Sequence, residues 1–185
     1  MAFNYKTASK EERQNEFNRI AKITGDNQIH TKKELHYLPE ILRDDEELLA
    51  FSSGFMDGNS WLIALTDRRI IFLDKGMIYG LKQSFIDIDK INSISCSSGI
   101  LFGDIIVTDG AVQRNISYVE KHTVKLFTNK VQEVIDSRKK TKEDNKYNFN
   151  QGSIIEQLEK LAALKDKGIL TLSEFENQKQ KLLNL

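Results

Sequence analysis

The feature that most constrains this chain is a change of hydrophobic period near residue 48. From there to residue 118, apolar and polar residues alternate in short runs, which turn-forming residues such as Asp57, Gly58 and Gly110 separate. A period of two predicts half-buried β-strands, and this spacing is typical of a meandering antiparallel sheet or a small barrel. About seven strands are expected, at residues 49–55, 61–66, 70–73, 83–88, 91–97, 103–108 and 112–118.

Two helices are expected before the sheet. Ser9 can cap the first, with Glu12 at the capping-box position three residues later. A second helix should begin near Thr31, where Glu34 would complete another capping box. Pro39, which cannot donate a backbone hydrogen bond, should kink or end that helix. We interpret both helices as an N-terminal extension packed against the sheet domain.

Beyond the sheet the period returns to that of a helix. Residues 119–137 carry one apolar stripe at helical spacing and predict a single helix. Residues 139–152 hold no bulky aliphatic side chain and are rich in Lys and Asn, so we interpret them as a linker. The predicted organisation is an N-terminal helical extension at 1–45, a sheet domain at 46–138, the linker at 139–152 and a helical hairpin at 153–185.

The predicted hairpin turns at Gly168, which suits the residue after a helix end with positive φ. Thr171 or Ser173 can cap its second helix. A hairpin of about thirty residues buries too little surface to be stable alone. We hypothesise that its apolar side contacts another copy or another protein, while folding back on the chain's own sheet domain is the alternative. The predicted protein-contact residues are Leu158, Leu161, Leu164, Phe175 and Leu182.

Charge indicates no particular partner. The chain has 27 basic and 27 acidic side chains, so no overall field draws it towards nucleic acid or anionic lipid. One strongly basic stretch is a candidate anion contact. Its cations would equally complement the dipole at a helix C-terminus, and no aromatic residue lies among them to stack on bases. The residues of this basic stretch are Arg138, Lys139, Lys140 and Lys142.

No residue pattern indicates catalysis. His30, His36 and His122 are isolated from other metal-ligand residue types at ligand spacing, and no glycine-rich phosphate loop is present. We therefore expect no enzyme activity, no cofactor and no metal site. Cys96 is the single cysteine, so no intramolecular disulfide can form. With no signal peptide and no membrane-spanning run in the sequence, a cytoplasmic protein is expected.

Three motifs in order resemble those of bacterial pleckstrin-homology-like (PH-like) domains. They are ALTDRRIIFLDKG at 64–76, FIDIDKINSI at 85–94 and GILFG at 99–103. Residues 158–183 are similar to the short C-terminal module called SHOCT, and they fill every marked position of its pattern LxxLxxLxxxGhhTxxEFxxxKxxLL. The resemblance implies an α+β fold, a seven-stranded split β-barrel capped by a C-terminal helix, in a protein of bacterial or phage type.

The resemblance also implies self-association of the barrel and a non-enzymatic terminal module. It does not extend to a phosphoinositide pocket, because the hairpin at 55–60 holds Asp57 and no base. Residues 46–135 contain nine basic side chains against eleven acidic ones. We predict a non-catalytic scaffold: the PH-like domain forms a homo-oligomer, and the hairpin recruits a second protein or another copy. Peripheral binding to nucleic acid or a membrane surface through the basic stretch is the second interpretation.

Overall fold

The computed structural model describes residues 3–76, 80–110 and 112–183, with the backbone alone described at 144–153. The helices are α1 (Lys10–Thr24), α2 (Lys32–Ile41), α3 (Lys121–Asp166) and α4 (Leu172–Leu183), with a 3-10 turn at Ile88–Lys90. The strands are β1 (Leu48–Met56), β2 (Asn59–Thr66), β3 (Arg69–Lys75), β4 (Leu81–Asp87), β5 (Ile91–Ser98), β6 (Phe102–Asp109) and β7 (Val112–Glu120). Internal contacts divide the chain into two units, Met1–Asp136 and Ser137–Leu185.

All the strands belong to one antiparallel sheet in the order β4-β3-β2-β1-β7-β6-β5. Pairing is extensive within β1–β4 and within β5–β7, whereas β1 and β7 are in register at one position, Phe55 opposite Ser117. The sheet thus has two halves that meet at a narrow join, hereafter the β1–β7 seam. The seven-stranded antiparallel sheet and the α+β class predicted from the sequence are confirmed.

Strands β2 and β3 are buried on both faces. Along β2, Trp61, Ile63 and Leu65 point into one apolar core, while Leu62 and Ala64 between them point into another. Because successive side chains of a strand point to opposite faces, a continuous apolar run fits only a strand covered on both sides.

The first core lies between the two halves of the sheet and the beginning of α3. Val124, Phe127 and Val131, spaced three or four residues apart on one helix face, are fully buried against it. Burying a side chain of this size stabilises the fold by roughly 1.5–3 kcal/mol. The stripe that predicted this helix is therefore the surface that closes the core.

The second core lies on the outer face of β1–β3, where α1 and α2 cover the sheet. Phe17 and Ile20 of α1, with Leu35 and Leu38 of α2, pack on this face. The prediction that the N-terminal helices pack on the sheet domain is confirmed. Helix α1 also begins as predicted, because Ser9 and Glu12 form both hydrogen bonds of a capping box.

The predicted capping box of α2 is wrong. Thr31 precedes the helix but makes no capping hydrogen bond with its side chain. Its hydroxyl instead lies 2.6 Å from the hydroxyl of Ser53 on β1, and Glu34 accepts the backbone N–H of Lys75 at 3.0 Å. Partners on the sheet have replaced the local ones. Pro39 lies in the last turn of α2, which ends two residues later as its position predicts.

A buried ion pair fixes the β2–β3 turn. Arg69 donates through Nε and Nη2 to the two carboxylate oxygens of Glu46, at 2.8 and 2.9 Å. Thr66 Oγ1 accepts the backbone N–H of Arg69 at 3.0 Å and donates to Glu46 at 2.8 Å. Arg69 Nη2 also reaches the carbonyl of Ile41 at 2.9 Å, so the pair ties the end of α2 to the sheet. Thr66 and Arg69, which belong to the motif at 64–76, are therefore structural.

The segment predicted to be a linker is helical. Helix α3 continues without a break through residues 139–152, so their backbone is not that of a flexible coil. No proline interrupts the segment, and Lys, Glu and Gln, which favour helices, make up six of its fourteen residues. A shortage of apolar residues shows that a segment has no core to pack against; it does not show that the backbone is irregular.

Candidate functional site

The C-terminal hairpin is formed by the end of α3 and by α4, and its turn follows the sequence prediction. Gly168 has φ +70°, a left-handed conformation that glycine adopts without strain. The backbone N–H of Ile169 donates to the carbonyl of Leu164 at 3.0 Å, the long hydrogen bond of a Schellman helix end. Lys165 Nζ lies 5.3 Å from the centre of the Phe175 ring and links the two helices by a cation–π contact.

Helix α4 begins with a capping box at Thr171. Its backbone N–H donates to Glu174 Oε2 at 2.9 Å, and its Oγ1 accepts the backbone N–H of Glu174 at 3.3 Å. These hydrogen bonds, the one from the Thr171 backbone first, hold the pKa of the Glu174 carboxyl below its ordinary value. Of the two caps that the sequence allowed, the structure uses Thr171.

The predicted contact residues fall on the hairpin but are not enclosed by it. Leu158, Leu161, Phe175 and Leu182 are half-buried, and Leu164 is exposed at 38%. None of the described residues of α4 is buried. The hairpin therefore has an apolar side that its own two helices cover only in part.

The structure also has a cavity of about 370 Å³ beside the β1–β7 seam, hereafter the seam cavity. Its walls come from the α1–α2 loop, the second half of β1, the start of β6 and the end of β7. Gly54 of β1 makes the close approach to β7 possible, since a Cβ there would lie 2.3 Å from Ile116 Cγ2. Only glycine therefore fits at this position of the seam.

One wall of the seam cavity is acidic. Asp26 accepts the backbone N–H of Ser53 at 2.7 Å through Oδ2 and that of Gln28 at 2.7 Å through Oδ1. Burial raises the pKa of the Asp26 carboxyl, although these hydrogen bonds act in the opposite direction. Glu120 accepts a hydrogen bond from the side-chain amide of Asn27 through Oε1. Both carboxylates therefore tie the α1–α2 loop to the sheet.

Three aromatic rings form another wall of the seam cavity. The ring of Tyr118 meets Phe55 and Phe102 edge to face, with centroids 6.0 and 6.2 Å apart. All three rings are exposed, Tyr118 at 67%. Tyr118 also has φ +55°, a conformation that costs a non-glycine residue roughly 1–3 kcal/mol and is concentrated at functional sites.

Two family comparisons match the two parts of the chain. The family described as "Bacterial PH domain" matches residues 42–133, and the family described as "Short C-terminal domain", SHOCT, matches residues 156–183. This chain carries a bacterial PH domain and a SHOCT domain. Neither type of domain is typically catalytic. Helices α1 and α2 and the loop between them precede the matched PH region, so residues of both the PH domain and its N-terminal extension line the seam cavity.

Two solved structures are similar to the chain at low overlap. One is the pleckstrin homology domain from Shewanella amazonensis SB2B, with 20% identity, a TM-score of 0.33, and coverage of 45% of this chain and 79% of that one. The other is a DUF1696 family protein with a pleckstrin-homology domain from Shewanella loihica PV-4, with 15% identity, a TM-score of 0.37, and coverage of 59% and 96%. No curated protein matches the chain.

The basic stretch lies inside α3 and not at its end, so the prediction that it complements a helix C-terminus is wrong. Successive residues of a helix are rotated by about 100°, which places Arg138, Lys142 and Lys139 within about 100° of each other and Lys140 on the far side. The four cations therefore do not all lie on one side of α3.

The described residues contain no group of three or more His, Cys, Asp or Glu side chains arranged to hold a metal ion. Across the same residues, no helix combines the length and the apolar character needed to span a membrane. Sequence reasoning missed the seam cavity, because its residues come from four separate segments. The one local signal was the apolar run Ile100, Leu101 and Phe102 in a hairpin turn, where polar residues are usual.

Proposed function

We propose that this protein is a non-catalytic cytoplasmic scaffold whose SHOCT hairpin binds another protein, with a second copy of the chain as the first candidate. The observation that carries the proposal is that α4, whose phenylalanine and leucines recur at the spacing of a buried face, has no buried residue. The proposed contact face consists of Leu158, Leu161, Leu164, Phe175 and Leu182.

Energetics support a partner for this face. A 12-residue helix such as α4 is at the margin of stability in water when it stands alone. Enclosing a leucine or phenylalanine side chain completely stabilises it by roughly 1.5–3 kcal/mol relative to an exposed state. A second hairpin would supply such a cover on both chains at once, since a two-fold contact pairs the same apolar face with itself.

The test is to replace the apolar face in the full-length chain and to measure its mass in solution. The triple variant Leu158→Gln/Leu161→Gln/Phe175→Gln should lower the mass measured by light scattering below that of the unchanged protein, towards the 21.3 kDa of one chain. The matched control Glu159→Gln/Glu176→Gln changes exposed positions of the same helices and should leave the assembly unchanged.

Two results would contradict the proposal. One is an assembly that the triple variant leaves intact. The other is an unchanged protein that is monomeric and captures no partner through the hairpin in a native lysate. Nucleic-acid or vesicle binding that falls steeply with salt and is lost in Lys139→Ala/Lys140→Ala would favour the basic stretch instead.

A further inference from the structure

The seam cavity has the electrostatics of a site for a cation. Its described lining includes the carboxylates of Asp26 and Glu120. It includes no Lys or Arg, and His30 is its one residue of a basic type. Glu120 uses Oε1 for Asn27, and no donor among the described residues reaches its Oε2. A positively charged group in the cavity could therefore pair with Glu120 through its second oxygen.

The aromatic wall favours a cation that also has apolar surface. Tyr118 stands between Phe55 and Phe102 in edge-to-face contact, so the three rings form one continuous wall. Cations are attracted to the faces of such rings within about 6 Å of the centroid, and the methylene stem of a side chain packs on the same surface. Lysine and arginine side chains combine both properties.

The surface around the cavity indicates that the cation belongs to a protein. Ile29 follows the lining residue Asn27 by two positions, and Ile100 and Leu101 directly precede the lining residue Phe102. All three are exposed, Ile100 at 89%. Exposed apolar residues next in sequence to the lining of a charged pocket are typical of a protein contact in which one anchoring side chain enters the pocket. A small amine would leave these three side chains uncovered.

We propose that the seam cavity binds a lysine or arginine side chain that a protein partner inserts against its carboxylates and aromatic rings. This inference concerns the PH domain and its N-terminal extension, and it does not depend on the SHOCT hairpin. The acidic wall comes from the α1–α2 loop and the end of β7, and the aromatic wall comes from the strands alone. The N-terminal extension would therefore complete the site.

The test uses the full-length, ¹⁵N-labelled protein and three probes. They are the acetylated and amidated tripeptide Leu-Lys-Leu, the same peptide with norleucine in place of lysine, and n-butylammonium chloride. The amide signals of Ser53, Phe55 and Glu120 report binding at the cavity. The lysine peptide should bind at least about five-fold more tightly than either of the other probes.

Variants separate the site from a general effect of charge. Glu120→Gln keeps an oxygen for Asn27 and should weaken the lysine peptide about five-fold. Tyr118→Gly removes the central ring at a φ that suits glycine, so the fold should persist while peptide binding is lost. The control Glu133→Gln removes the same charge from an exposed position of α3 outside the cavity and should have no effect.

Each other result overturns the inference. Equal binding of the norleucine peptide would show an apolar site without recognition of charge. Equal binding of n-butylammonium would assign the cavity to a free amine. Equal weakening by Glu120→Gln and Glu133→Gln would show a general field, and unmoved amide signals with all three probes would show no site. The hairpin variants should leave the amide signals at the cavity unaffected. The experiment can therefore contradict this proposal without contradicting the scaffold function, and the reverse.

Discussion

The PH domain and the SHOCT hairpin contain the same kinds of apolar residue and bury them to different extents. Phe127 of α3 is fully enclosed in the core of the first unit, whereas Phe175 of α4 is only half-buried in the second. A sheet with helices against both faces encloses its side chains, while two short helices cover only the side that each turns to the other. The first unit therefore encloses its apolar residues, whereas the second leaves them partly exposed.

Matched phenylalanine substitutions test this difference directly. Phe127→Ala should lower the free energy of unfolding of the PH domain by about 3–5 kcal/mol, because it leaves a cavity in a closed core. Phe175→Ala should change that free energy by less than about 0.5 kcal/mol. Urea unfolding followed by the fluorescence of Trp61 measures both. Equal losses of unfolding free energy in the two variants would show that the two units unfold cooperatively.

The buried ion pair shows whether the PH domain depends on polar contacts as well as on apolar ones. Arg69→Met leaves the enclosed carboxylate of Glu46 without its partner and should cost about 3 kcal/mol. The double variant Glu46→Leu/Arg69→Met removes both charges and should recover most of that loss. Urea unfolding of the two variants provides the comparison. A double variant as unstable as the single one would mean that the geometry of the pair, and not the unpaired charge, matters.

Acid should weaken the PH domain through Glu46. Burial acts to raise the pKa of the Glu46 carboxyl, but hydrogen bonds from Arg69, Arg43 and Thr66 outweigh it and lower the pKa overall. The pair therefore contributes stability above the unfolded pKa of about 4.3 and loses it as the pH falls through the lower folded value. Stability measured from pH 6 to pH 3 should fall, and less so in Glu46→Gln.

Asp26 of the seam cavity should act in the opposite direction. Its raised folded pKa means that it favours the folded state below its unfolded pKa of about 3.9 and loses that contribution as the pH rises through the folded value. Asp26→Asn should therefore make the acid-induced loss of stability steeper than in the unchanged protein. An identical pH profile would show that the carboxyl has the same pKa in both states.

The smallest expected effect concerns the hairpin. Thr171→Ala removes the cap of α4 and should destabilise that helix by about 1 kcal/mol. Hydrogen exchange of the α4 amides should become faster, while the amides of β2 and β3 should keep their protection. If the PH-domain amides also exchanged faster in the variant than in the unchanged protein, the stabilities of the two units would be coupled.

Local signals in the sequence predicted most of the secondary structure. The capping box at Ser9, the turn at Asp57 and Gly58 and the helix end at Gly168 each need only neighbours within a few residues, and all three are present. The box predicted at Thr31 failed because Ser53 and Lys75, both distant in sequence, offered alternative partners. The low apolar content of residues 139–152 predicts a linker, but it indicates only that they have no core to pack against, and their backbone is helical.

The sequence by itself determined the strands, the order of the domains and the apolar side of the hairpin, because the periods of two and 3.6 residues reflect nearest neighbours along the chain. The tertiary structure alone decided the pairing of Glu46 with Arg69 and the seam cavity. In the cavity, Asp26 and Glu120 lie 94 positions apart in the sequence and acquire a common environment only when β1 meets β7. Such a site depends on which surfaces pack together, and no local pattern contains that information.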